Sequence, residues 1–270
     1  MHEEKVDSMN ILLRQILKVG LENAANQSIH QHPQVVCFAH DAISRKIMID
    51  GIFEKKELTA LKAFLLSNTD SRKTCLDIGG NIGNHALYFS DLFEQVITFE
   101  PNRTTFQLLA LNAKLASNIT PVNIGIGDQE ITLPAKVDSL NIGGARVSEE
   151  DDANIEFSLV ALDDYLIENP VLSIDFIKMD VEGYELKALK GAAETLKKHQ
   201  PILALELHVK KNAAEAKQIL ELLIDQGYEY AHLLRPRLFS KIKSAFVKVP
   251  LREFVAYSPK NHKMVVFTVN

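Results

Sequence analysis

No stretch of this 270-residue chain stays apolar over the roughly 18 residues that a membrane-spanning helix needs. Cysteine is almost absent. Cys37 and Cys75 are too few for a disulfide framework, and Cys75 falls in a predicted buried strand, where an inert core thiol is expected. Positive charge is not in excess. The net charge of −5 gives no global electrostatic case for nucleic acid. The first residues carry acids and lack the apolar centre of a secretory signal, so a cytoplasmic setting is the simplest expectation. Glycines are missing where a dinucleotide site wants them. Counting Gly-x-Gly-x-x-Gly from Gly79, the second and third positions are Asn81 and Asn84. No Gly-Lys-Ser/Thr follows a glycine-rich turn, so a nucleoside triphosphate loop is unsupported too. There is no internal repeat and no low-complexity segment. What remains is an ordinary globular composition, 46% apolar and 24% charged, long enough for one large domain or two small ones.

The most informative stretch is Thr74-Cys-Leu-Asp-Ile-Gly-Gly-Asn-Ile-Gly-Asn84, followed by Val96-Ile-Thr-Phe-Glu100. It reads as a buried strand, a glycine-rich turn, a helix start and a second buried strand ending in an acid. Open parallel sheets hold adenosine-containing cofactors in this way. Turn glycines let the backbone approach the ligand, and an acid roughly 20 residues on binds the ribose hydroxyls. Asp77, just before the turn, would repel a pyrophosphate. It suits a ligand with a positive centre and an amino group.

The Asp-x-Gly-x-Asn-x-Gly pattern at Asp77 to Gly83 resembles the first motif of Rossmann-like S-adenosylmethionine-dependent methyltransferases. Leu76 to His85, Phe99-Glu-Pro-Asn102 and Phe176-Ile-Lys-Met-Asp-Val-Glu-Gly-Tyr-Glu185 together resemble the FkbM methyltransferase family, as do Leu162-Asp-Asp-Tyr-Leu166 and Pro201-Ile-Leu-Ala-Leu-Glu206. The resemblance covers roughly residues 50 to 207. It implies an α/β fold with a seven-stranded, mostly parallel sheet, helices on both faces and an antiparallel last strand. It also implies methyl transfer from S-adenosylmethionine, often to a hydroxyl of a sugar or other small, possibly nucleotide-linked, metabolite. A homo-oligomer stays open.

The chain divides into an N-terminal extension, 1–53, and a catalytic domain, 54–270, with an insertion over about 125–169. Ile11, Leu12, Ile16, Val19 and Leu21 predict an amphipathic helix over about 6–24, expected to pack on its own domain. Val35–Phe38 and Lys46–Ile49 read as a hairpin, and Glu54–Leu66 as a helix. From Thr74 strands and helices alternate, which implies a parallel sheet. The alternation lapses in the insertion and resumes at Ile174. One helix is expected over 185–198.

Candidate site residues follow from these placements. Gly79, Gly80, Asn81 and Gly83 form the turn, with Asn84 and His85 in the first helical turn after it. Glu100, Pro101 and Asn102 end the second strand. By resemblance Asp128, beyond the third strand, is the candidate for the adenine. Asp180 and Glu182 stand in an i, i+2 relation and so share one side of an extended segment. As neighbouring acids they could raise one another's pKa or hold a divalent cation, though no metal ligand is assigned. His208 is the natural general base, with a free pKa near 6.5. Lys178 is expected to pair with an acid. Arg146 in the insertion, and a basic cluster at Arg235, Arg237, Lys241, Lys243, Lys248 and Arg252, are candidates for an anionic acceptor. Two other readings stay open at this point: a binding module that keeps the fold without the chemistry, and an NAD(P)-dependent oxidoreductase.

Overall fold

The structure, a computed structural model, describes residues 11–39, 41–138, 141–147, 153–236, 244–254 and 260–270. In chain order the elements are α1 (Ile11–Ser28), α2 (Ala42–Asp50), α3 (Lys55–Asn68), β1 (Thr74–Ile78), α4 (Asn84–Ser90), β2 (Gln95–Phe99), α5 (Arg103–Ala113), β3 (Ile119–Val122), β4 (Gly125–Gly127), β5 (Ile131–Asp138), β6 (Asn141–Val147), β7 (Ile155–Ala161), α6 (Leu162–Glu168), β8 (Phe176–Met179), α7 (Glu185–Lys190), α8 (Ala193–His199), β9 (Ile202–His208), α9 (Ala213–Asp225), β10 (Tyr230–Pro236), β11 (Ser244–Pro250) and β12 (Asn261–Thr268). The expected helix over 185–198 is two, α7 and α8.

The main sheet runs β11-β10-β12-β9-β8-β1-β2-β3. Strands β3, β2, β1, β8 and β9 pair in parallel, and β12 lies antiparallel between β9 and β10, as expected of the last strand. The strand count is eight, not seven. The extra strand, β11, forms an antiparallel edge on β10. Phe246 of β11 packs its ring 5.3 Å from Phe64 on α3.

Strand alternation sorts the core into two layers. Leu76, Ile78, Ile97, Phe99, Ile177 and Met179 join Ala188, Leu189 and Leu220 on one face. Cys75, Val96 and Phe176 join Leu58, Leu61 and Phe89, from α3 and α4, on the other. Cys75 is fully buried, and burial pushes its thiol well up, as an inert core cysteine requires. The insertion folds as a second sheet, β4-β7-β5-β6, with its own small core around Phe157 and Leu159.

The N-terminal extension differs most from expectation. The hairpin is absent: Lys46–Ile49 lies inside α2. Asp41 caps that helix by accepting the Ile43 N–H at 2.9 Å, and Gly51 ends it in the left-handed region. Val36, in the other expected strand, has its backbone N–H and C=O bonded by the Asn112 side chain at 2.7 and 2.9 Å, in place of a strand partner. Helix α1 forms and meets α2, but it buries none of its residues, and Ile11, Leu12, Ile16, Val19 and Leu21 are exposed among the described residues, where packing on the domain was expected.

Candidate active site at the carboxyl edge of the sheet

The glycine turn leaves β1 under tight backbone control. Gly79 and Gly80 donate N–H bonds to the Phe99 carbonyl at 3.0 and 2.8 Å, extending the β1–β2 pairing past the strand end. Gly79 has φ +82°, and a Cβ there would overlap the Asp180 carbonyl oxygen; one on Gly80 would overlap the Thr98 hydroxyl. The turn therefore needs glycine for both torsion and approach. It opens onto a cavity of about 300 Å³ at the carboxyl ends of the strands, where open α/β sheets bind ligands.

Glu100 lines this cavity and is only 8% exposed. Its two carboxyl oxygens accept N–H bonds from Asn81 at 3.0 Å and Asn102 at 2.8 Å. Burial outweighs these bonds and pushes its pKa up to about 7. A carboxylate has about four acceptor sites, so further donors can be taken from the cavity side. Asn102 does not line the cavity. It caps α5 by accepting the Thr104 N–H at 3.1 Å, and Gly83 similarly starts α4 from behind the lining. Asn123 donates to the Glu100 and Pro101 carbonyls and holds the end of β2.

Asp77 occupies a different place from the one its sequence position suggests. It is fully buried and outside the lining. Register places Thr98, Asp77 and Lys178 side by side across β2, β1 and β8. The Thr98 hydroxyl donates to Asp77 at 3.2 Å, and the Lys178 ammonium stands 3.6 Å from Asp77, 3.6 Å from Asp180 and 3.1 Å from the Gly79 carbonyl. Burial pulls the Lys178 pKa down, but Asp180, Asp77 and Glu54 outweigh it and the net direction is up. Lys178 is thus the expected ion-pair partner. The row supports the turn from beneath, because alternation aims Asp77 toward α4.

A group of acids faces the other end. Asp180, Glu182 and Glu206 line the cavity. Glu185 closes the turn before α7 by accepting the Val181 and Gly183 N–H groups. Burial, then the neighbouring acids, raises Glu182 and Glu185 and lifts Glu206 to about 8. His208 lies outside the lining, 3.5 Å from Glu206. Asp128 is exposed and also outside it. Among the described residues no three His, Cys, Asp or Glu side chains are placed to hold a metal ion.

Sequence reading missed one wall. Phe53, at the end of the N-terminal extension, and Glu54, which precedes α3, line the cavity. The Asn84 amide ties the Phe53 backbone through two hydrogen bonds, and His85 meets Glu54 at 3.4 Å. Burial alone would raise the Glu54 pKa, but His85 and the nearby lysines bring it down. Glu206, two residues before His208 on β9, lines the cavity as well, and its position beside Asp180 follows from the pairing of β8 with β9. Of the basic cluster, Arg237, Lys241 and Lys243 lie outside the described residues, as does the Arg146 side chain, and Lys248 sits over the Tyr230 ring at 3.5 Å.

The chain matches the family model described as "Methyltransferase FkbM domain" over residues 77–230. It is 28% identical to the hexuronic acid methyltransferase AglP of Haloferax volcanii over 161 residues, 59% of this chain and 64% of that protein. It is 26% identical to "Methyltransferase 1" of Beauveria bassiana over 52% of this chain and 66% of that one. The chain therefore spans just under two thirds of these relatives' own lengths. In structure it resembles a protein described as methyltransferase FkbM from Methylobacillus flagellatus KT, with TM-score 0.50 and 20% identity, covering 95% of this chain and 59% of that one.

Proposed function

The chain belongs to the FkbM methyltransferase family, and from that premise we propose that it transfers the methyl group of S-adenosylmethionine to a hydroxyl of a sugar or similar small metabolite. The observation that carries the cofactor reading is Glu100. It is a buried acid at the end of the second strand, braced by two backbone N–H groups, with acceptor capacity left toward the cavity. Ribose hydroxyls are donors of that kind. Gly79, Gly80 and Asn81 would hold the methionine part, with the Asp77–Lys178 pair fixing the turn behind them. Pro101 would border the nucleoside, and Asn84 and His85 would tie the N-terminal wall over the site.

When bound, S-adenosylmethionine supplies a methyl group made electrophilic by its sulfonium. The protein's part is alignment of the acceptor, since positioning supplies much of the rate, and removal of the acceptor's proton. Asp180 and Glu182 are the acids toward the transferring end, and His208 backs them through Glu206. The sugar-like acceptor is supported by the name of the Haloferax relative, a hexuronic acid methyltransferase.

The test is calorimetric titration with S-adenosylhomocysteine, with NAD and NADP as controls. Binding of S-adenosylhomocysteine alone is expected, weakened by a few kcal/mol in Glu100→Ala through loss of charge-assisted bonds. Binding of NAD or NADP instead, or none by folded protein, would refute the cofactor reading.

A further inference from the structure

The cavity end opposite Glu100 is unusually acidic, and strand pairing explains why. Met179 of β8 lies beside Leu205 of β9, so the next residues, Asp180 and Glu206, emerge side by side at the carboxyl edge. Both line the cavity, and Asp180 is close enough to raise the Glu206 pKa. Neighbouring strands are about 5 Å apart. Moving along the edge from Glu100 on β2, across β1, one therefore passes the ribose end, the glycine turn and then this pair.

We propose that Glu206, paired with Asp180 at the methyl-transferring end of the cavity, is the group that takes the proton from the acceptor hydroxyl. The inference rests on the cofactor reading above. His208 stands behind Glu206: its imidazole is 3.5 Å from that carboxylate and outside the residues that line the cavity. Glu206 has three other acids around it, Asp180, Glu182 and Glu185, and burial together with them lifts it to about 8. The cations near this group are Lys178, matched by Asp77 and Asp180, Lys263 on the lining from β12, and Lys211 near Glu182. At neutral pH Glu206 therefore keeps its proton in the ligand-free site. A cation arriving beside Glu206 favours its ionised form, which is the form that can act as a base. In the transfer, the acceptor's O–H bond breaks and its proton moves to Glu206. The freed oxygen pair forms the O–CH₃ bond, and the pair of the broken S–CH₃ bond stays on sulfur. The proton then leaves to water.

The test needs no acceptor. Sinefungin carries a cationic amine where S-adenosylmethionine carries its sulfonium methyl, whereas S-adenosylhomocysteine is neutral there. Both are titrated calorimetrically from pH 6 to 8 in buffers of different ionisation enthalpy. Sinefungin is expected to release close to one proton more than S-adenosylhomocysteine at pH 7. Its affinity should gain up to about tenfold per pH unit relative to that ligand. Glu206→Gln should lose both differences, its retained S-adenosylhomocysteine binding reporting an intact fold. Equal proton release by the two ligands, or an undiminished excess in Glu206→Gln, would overturn the assignment. A Glu206 that merely supports structure would shift both ligands alike. Failure of both ligands to bind would bring down the cofactor reading, and this inference with it.

Discussion

Replacing Glu100 by Gln should remove a pH-dependent weakness from the ligand-free protein while damaging its site. The carboxyl is 8% exposed and its pKa is raised from 4.5 to about 7. Between those values the folded state holds a proton that the unfolded chain has released. The stabilising contribution is therefore complete below about pH 4.5 and is lost as pH rises through about 7. At about 1.36 kcal/mol per pKa unit the loss is about 3 kcal/mol by pH 8. Gln resembles the protonated acid: one oxygen still accepts an N–H, and the other position carries hydrogen. Denaturant unfolding of both ligand-free proteins from pH 5 to 8.5 should show the wild type losing about 3 kcal/mol more than Glu100→Gln. Glu206 titrates nearby in both proteins, so the difference between the curves isolates Glu100. Parallel curves would refute the reasoning, because they would mean that the acid is not kept protonated by its burial. The same variant should bind S-adenosylhomocysteine about ten to a hundred times more weakly, since a charged acceptor has become a neutral one. A site acid held at the expense of stability is what a ligand-binding role requires.

Three further outcomes are expected. Lys178→Met leaves Asp77 buried without its ion-pair partner, and should cost about 3–5 kcal/mol in chemical unfolding; adding Asp77→Leu should recover much of the loss. Gly79→Ala must take φ +82° and meet the Asp180 carbonyl, so it should destabilise by about 2 kcal/mol or more in thermal unfolding and weaken S-adenosylhomocysteine binding in calorimetry. Asn112→Ala loses bonds to Val36 N–H, Val36 C=O and Ile82 C=O. It should cost about 2–3 kcal/mol and open residues 29–39 to limited proteolysis while the sheet stays protected.

The sequence by itself determined the elements whose signals are local. Strand β1, the Gly79–Gly83 turn, helix α4 and the acid at the end of β2 lie within one short span, and torsion, hydrophobic run and turn chemistry agree there. The alternation from β8 to α9 was legible for the same reason, and so was the antiparallel last strand once the family motifs were recognised. The hairpin expected over 35–49 shows the weakness of short apolar runs. The Asp41 cap and the Gly51 stop bound Lys46–Ile49 as part of a helix. Only the tertiary structure decided which side chains share the cavity. Asp77 turns under the turn because Lys178 and Thr98 are its lateral neighbours, and none of the three spacings in sequence says so. Glu206 stands beside Asp180 because β9 pairs with β8 in one register, while His208, two residues on, falls outside. Helix α1 shows its apolar stripe in sequence, but a stripe does not say whether anything covers it. Periodicity is a property of one segment; strand order, register and helix docking are set by contacts between segments far apart in the chain, where the energies that choose among them also lie.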